Sequence, residues 1–142
     1  MPTERRRIVA EVSRLSREAG FRRQVLFAYG GRCAVTRVQL RLVDAAHILP
    51  VGVYGSADHV RNGIELAPTY HRAFDAGLIY LDERMNMRVN PERVDALKLL
   101  KQDAGLENFA LPLGKIFLPP DPAQRPARDF ILRANRFRRI PA

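Results

Sequence analysis

The chain has 142 residues, 46% of them hydrophobic, a formal net charge of +9 and one cysteine. That length suits one domain with a modest core, and the apolar fraction favours a folded chain over a disordered one. The lone Cys33 excludes an intrachain disulfide and a Cys-rich zinc knuckle, so any metal must be held by His, Asp, Asn or water. No run is long and apolar enough for a membrane helix, and the opening MPTERRRIVAEV lacks the apolar core of a signal peptide, so a cytoplasmic protein with no membrane partner is expected. Arginine carries nearly all the positive charge, and its planar fork of donors suits phosphate. Nucleic acid is therefore favoured as a partner over a merely solvated arginine-rich surface.

In chain order, Ile8, Val12 and Leu15 repeat at helical spacing over residues 4–18, with Thr3 as cap and Gly20 as stop. A second short helix fits 21–29, with Phe21, Val25 and Ala28 on one face, ended by Gly30-Gly31. Residues 32–36 and 40–46 read as two strands joined by a turn at 37–39, and His47 lies at the end of the second. Residues 51–61 read as a loop, Asn62-Gly63 as a turn, and Ile64 and Leu66 as a brief apolar contact. Thr69 is placed to cap a short helix running through Ala76 and ended by Gly77. A hairpin of 78–81 with 86–90 comes next, then a helix over 92–101 opened by Pro91. Residues 105–126 are Pro-rich and irregular, and 127–138 form a last helix with Phe130, Ile131, Ala134 and Phe137 apolar. The expected division is an N-terminal helix (1–20), a core (21–104) and a C-terminal segment and helix packed on it (105–142).

Two of the three histidines sit in unusual company. His47 ends a strand within Asp44-Ala-Ala-His-Ile-Leu-Pro50, and His71 begins a helix within Thr69-Tyr-His-Arg-Ala-Phe-Asp75. The i, i+4 spacing of His71 and Asp75 puts an imidazole and a carboxylate on one helix face, where they suit either a metal ion or a surface ion pair. His59 lies in a polar loop and is a weaker, auxiliary candidate. Cys33 reads as a small buried hydrophobe.

The order of these pieces resembles the HNH nuclease family (ββα-metal, or His-Me finger, nucleases). The resemblance runs from Phe21 to about Asp82 through Cys33-Ala-Val-Thr36, Ala45-Ala-His-Ile48 with Pro50, Asn62-Gly63, and His71-Arg-Ala-Phe-Asp75 with Gly77-Leu78-Ile79. Together these look like the subgroup attached to bacterial restriction endonucleases, and the tail around Leu118-Pro119-Pro120 and Phe130-Ile131-Leu132 resembles the segment C-terminal to the nuclease core in that subgroup. The resemblance implies an α+β fold with a ββα-metal core flanked by N- and C-terminal helices. It implies metal-dependent hydrolysis of DNA, double-stranded by preference, in a restriction or DNA-processing role. His47 is then the general base, Asn62 braces the loop that orients it, and His71 and Asp75 hold a divalent ion. Mg²⁺ is the first choice, with Mn²⁺, Ni²⁺ or Zn²⁺ as alternatives. Arg61, Arg72, Arg22 and Arg23 are candidate DNA contacts.

Many family members carry a further metal ligand just before the base, where this chain has Ala46. Asp44 is then either a replacement ligand or a carboxylate that orients His47. Arg37 stands where the subgroup usually has a turn glycine. The alternative function is a DNA-binding module on the same scaffold with impaired chemistry. A homodimer or a separate target-recognition domain or subunit is the expected partner.

Overall fold

The computed structural model describes residues 3–141. Met1, Pro2 and Ala142, the extremes of the first and last expected segments, lie outside the described residues. The chain is α+β, with a two-stranded and a three-stranded antiparallel sheet among five helices.

Helix α1 spans Glu4–Ala28 without a break, so the two expected helices are one. Its start is capped as expected, Thr3 Oγ1 accepting from the Arg6 amide at 3.3 Å. Gly20 does not stop it: a glycine inside a helix costs only about 1 kcal/mol, and the next turns are held by burial of Phe21, Val25 and Ala28. The stripe of Ile8, Val12 and Leu15 is helical but not core; these side chains remain 50–61% exposed. Arg14 instead ties the exposed surface to Glu11 and, at 2.8 Å, to Glu18. Gly30 and Gly31, at φ 61° and 71°, end the helix in the left-handed region.

The expected strand at 32–36 is a buried turn. Ala34 donates to Glu65 O at 2.7 Å and accepts from the Phe117 amide at 2.8 Å, joining two distant segments without forming a ladder. Left-handed residues at Arg37, Leu40 and Arg41 keep the next stretch irregular, so strand β1 begins only at Asp44 and runs Asp44–His47. Its partner is not 32–36 but β2, Gly63–Leu66, in antiparallel register with His47 opposite Gly63 and Ala45 opposite Glu65. All four β2 residues are buried, so no alternation marks the strand. Gly63 is extended rather than a turn residue; a Cβ there would lie 2.3 Å from Val25 Cγ2, which lets α1 press against the hairpin.

Helix α2, Pro68–Asp75, completes the ββα unit. Thr69 lies inside it, and Ala67 holds the N-cap position with no side-chain bond; Pro68 at the first position loses no helical hydrogen bond. Gly77, φ 74°, turns the chain into β3 (Ile79–Leu81), which pairs with β4 (Asn86–Val89) as expected. Helix α3 is Pro91–Leu99, capped by Asn90. The region expected to be irregular contains α4 (Leu106–Ala110) and β5 (Gly114–Lys115), which adds a third strand beside β4. Helix α5, Arg128–Phe137, buries Ile131 and Ala134 and leaves Phe137 55% exposed. The tail is knitted in by Ala127 N to Arg61 O at 2.9 Å and by Asn135 Nδ2 to Leu81 O at 2.9 Å.

Candidate active site

The end of β1, the loop after it and one face of α2 meet at a cleft of about 410 Å³ lined by Ala45, His47, Pro50, His71, Asp75 and Phe137. Two histidines 24 positions apart in sequence thus line one cleft.

His47 is held on two sides. Its ring stacks on Phe21 of α1, centroids 4.0 Å apart and planes 13° from parallel. Its Nε2 lies 2.9 Å from Asp58 Oδ1. The loop carrying Asp58 is pinned by the fully buried Asn62. The Asn62 Oδ1 accepts from the Leu49 amide at 2.8 Å, and its Nδ2 donates to Leu49 O at 3.1 Å and Ala57 O at 3.0 Å. One amide thereby joins the chain two residues after His47 to the residue before Asp58. A buried amide with its donors and acceptor all used holds its neighbours rigidly.

His71 sits between two carboxylates. Its Nδ1 is 3.0 Å from Asp44 Oδ2 and its Nε2 is 3.2 Å from Asp75 Oδ2. The Asp75 carboxylate and then Asp44 stabilise the imidazolium against the opposing effect of burial and push its pKa up to about 9. Behind them lies Glu65, buried with Oε2 unpartnered. Burial and the charge of Asp44 raise its pKa to about 7, against the attraction of His71. Asp44 therefore contacts His71, where the sequence leaves it between metal ligand and orienting partner of His47. Ala46 is only 1% exposed and belongs to the hydrophobic core.

The expected arginines divide. Arg22 lines a pocket with Asp44, Glu65 and His71, next to the site. Arg23 lies apart with Phe27, Val60 and Gln124. Arg72 faces the opposite side of α2, in a groove against α3 and residues 102–109. Arg61 is engaged by its Nε to Arg125 O at 3.1 Å. His59 is used locally, its Nδ1 accepting from the Arg61 amide at 3.1 Å.

Three residues escape sequence reading, Asp58, Glu65 and Arg138, and so does the stacking of Phe21, legible only as a helix-face residue, on His47. Arg138 lies just after α5 and is 5% exposed at its side chain. Its Nη1 donates to Ile48 O at 2.8 Å, its guanidinium lies 4.6 Å from the Phe74 ring centroid, and its Nη2 is 3.8 Å from Asp75 Oδ1. It bridges the end of β1 to α2. Its position in an arginine-rich tail offers no signal of that role.

For a metal, the convergent protein donors are His71 Nε2 and an Asp75 oxygen. Among the described residues no group of three or more His, Cys, Asp or Glu side chains is arranged to hold an ion. Two donors with open space beside them fit a hard divalent ion that keeps several waters and accepts phosphate oxygens. Asp44 on Nδ1 completes a carboxylate–histidine pair of the kind that fixes a ligating ring.

Residues 33–82 match the model of a family described as HNH endonuclease. Among solved structures, the modification dependent TagI restriction endonuclease is similar, with a TM-score of 0.57 and 20% sequence identity over 87% of this chain. This chain spans 38% of that protein's length. No curated protein matches. The expected resemblance to the HNH family thus has a matching family model over residues 33–82, and the likeness to the solved structure agrees with the expected α+β fold. No helix among the described residues is long and apolar enough to cross a membrane.

Proposed function

We propose that this chain is a metal-dependent endonuclease that hydrolyses phosphodiester bonds of double-stranded DNA, in a restriction or DNA-processing role in the cytoplasm. The observation that carries the reading is the shared cleft: His47 on one wall, His71 with Asp75 on the other. His47 takes a proton from water as the water oxygen attacks phosphorus. His71 and Asp75 would hold a divalent ion, Mg²⁺ by preference, which when bound would supply positive charge to the phosphate oxygens and the departing 3′ oxygen. Asp44 holds the His71 ring by its Nδ1, and Arg138 ties Ile48, the neighbour of His47, to α2. Asn62 keeps the loop closed behind the base. Arg22 is the expected arginine best placed to meet phosphate beside the site. Because the similar restriction enzyme is a much longer chain, target recognition is assigned to another domain or subunit.

The test is cleavage of supercoiled plasmid, modified and unmodified, across Mg²⁺, Mn²⁺, Ni²⁺ and Zn²⁺. Cleavage is expected with a divalent ion and is lost with chelator. His47→Ala should bind DNA normally and cut at least about 10²-fold more slowly, the scale of lost general-base catalysis. DNA binding without cleavage under every metal would instead make the chain a binding module on an HNH scaffold.

A further inference from the structure

We propose that Asp58 is the positioning residue of the His47 base, and that it commits the ring to using Nδ1 as its basic nitrogen. The inference rests on the nuclease reading above. A carboxylate without a proton has only acceptor atoms, so the 2.9 Å contact between Asp58 Oδ1 and His47 Nε2 is a hydrogen bond when Nε2 carries the hydrogen. In a neutral imidazole the lone pair is then on Nδ1. Among the described residues Nδ1 has no hydrogen-bond partner, and the ring borders the cleft.

The pair is built into the fold rather than left to two mobile side chains. Phe21, 2% exposed, holds the ring plane by stacking. Asn62 fixes Ala57 O at 3.0 Å, and Ser56 Oγ donates to Leu49 O at 2.8 Å, so the backbone on the N-terminal side of Asp58 is anchored to the strand end that carries His47. The His47 and Asp58 side chains are 17% and 30% exposed, less open than an ordinary surface ion pair.

In the reaction the O–H bond of water breaks and its proton passes to Nδ1. The oxygen forms a bond to phosphorus, the bond from phosphorus to O3′ breaks, and solvent protonates the leaving oxygen. Asp58 takes no proton; it faces the imidazolium formed at His47 and stabilises that charge.

The test has two readouts. Long-range proton–nitrogen spectra of metal-free protein at mildly alkaline pH report the His47 tautomer without any substrate. Wild type should show the Nε2–H form, and Asp58→Asn, whose amide both donates and accepts, should shift toward a mixture. In cleavage assays Asp58→Asn should lower kcat by about 10- to 100-fold, the scale of lost orienting partners. KM for DNA and metal affinity should be unchanged, and Asp58→Glu should recover part of the rate. A wild-type Nδ1–H tautomer, or an Asp58→Asn rate within about threefold of wild type on the general-base scale, would overturn the proposal. A wild-type protein that cleaves DNA with none of the metals would overturn the functional reading and with it the base role of His47, whereas a wild-type Nδ1–H tautomer in a protein that does cleave would overturn the Asp58 pairing alone.

Discussion

The two site histidines are held in opposite ways. His47 has an aromatic ring against its face and one carboxylate on Nε2. His71 has a carboxylate on each nitrogen and a pKa raised to about 9. One-sided pairing orients a ring and keeps its second nitrogen usable, as a base requires. Two-sided pairing makes the ring a cation when no metal is present, and the same two carboxylates make it a well-aimed ligand once it loses its proton. In the proposed mechanism the same side chain thus takes two roles, according to the number and placement of its partners.

The contrast is broken most sharply by removing a ring. His71→Ala should weaken metal binding by at least about 100-fold, beyond the 10- to 100-fold typical of outer partners. Asp44→Asn should fall within that outer range, and His47→Ala should leave metal affinity unchanged. Calorimetric titration of Mn²⁺ into the three variants checks the ranking; equal affinities for His71→Ala and wild type would remove the metal from α2.

A mid-sized effect is expected at the wall behind His47. Gly63→Ala places a Cβ 2.3 Å from Val25 Cγ2 and 3.1 Å from the Phe21 ring. Overpacking of this kind costs about 1–3 kcal/mol. It should lower the urea midpoint and, by shifting Phe21, slow cleavage without changing metal affinity. An unchanged midpoint would show that α1 yields at no cost.

The smallest effect is a pH dependence on the His71 side. Glu65 has an ordinary pKa of 4.5 and a folded value of about 7. Between those values the folded state binds the extra proton, so stability falls as pH rises through that window. His71, raised from 6.5 to about 9, contributes stability to the metal-free protein that is fully present below 6.5 and lost as pH rises through about 9. Thermal melts of metal-free protein should therefore show Tm declining across both windows. Glu65→Gln should remove the lower decline and His71→Ala the upper. Parallel curves for wild type and Glu65→Gln would mean that the carboxyl finds water in solution.

Local chemistry makes several features legible in the sequence. His71 and Asp75 share a helix face by spacing alone, and Gly30-Gly31 and Gly77 punctuate helices because only left-handed backbone ends them there. The hairpin of β3 and β4 announces itself by apolar runs around a polar turn. Asn62 stands out beside its glycine, but its bonds to Leu49 and Ala57 require the folded loop. Other features depend on contacts between segments far apart. The true partner of β1 lies beyond the 51–61 loop, and β2 is buried on every residue, so neither proximity nor alternation reveals the pairing. Helix α1 runs through Gly20 because packing of Phe21 and Val25 outweighs one glycine, and the stripe at Ile8, Val12 and Leu15 has helical period without a surface to cover it. Asp58, Glu65 and Arg138 have no period or motif around them; each acquires its role from the groups the fold places within a few ångströms. Sequence thus determined which residue types are available to this chain for the proposed acid–base and ligand chemistry. Tertiary structure decided which carboxylate meets which histidine, because hydrogen-bond partners are set by distance in space and not by spacing along the chain.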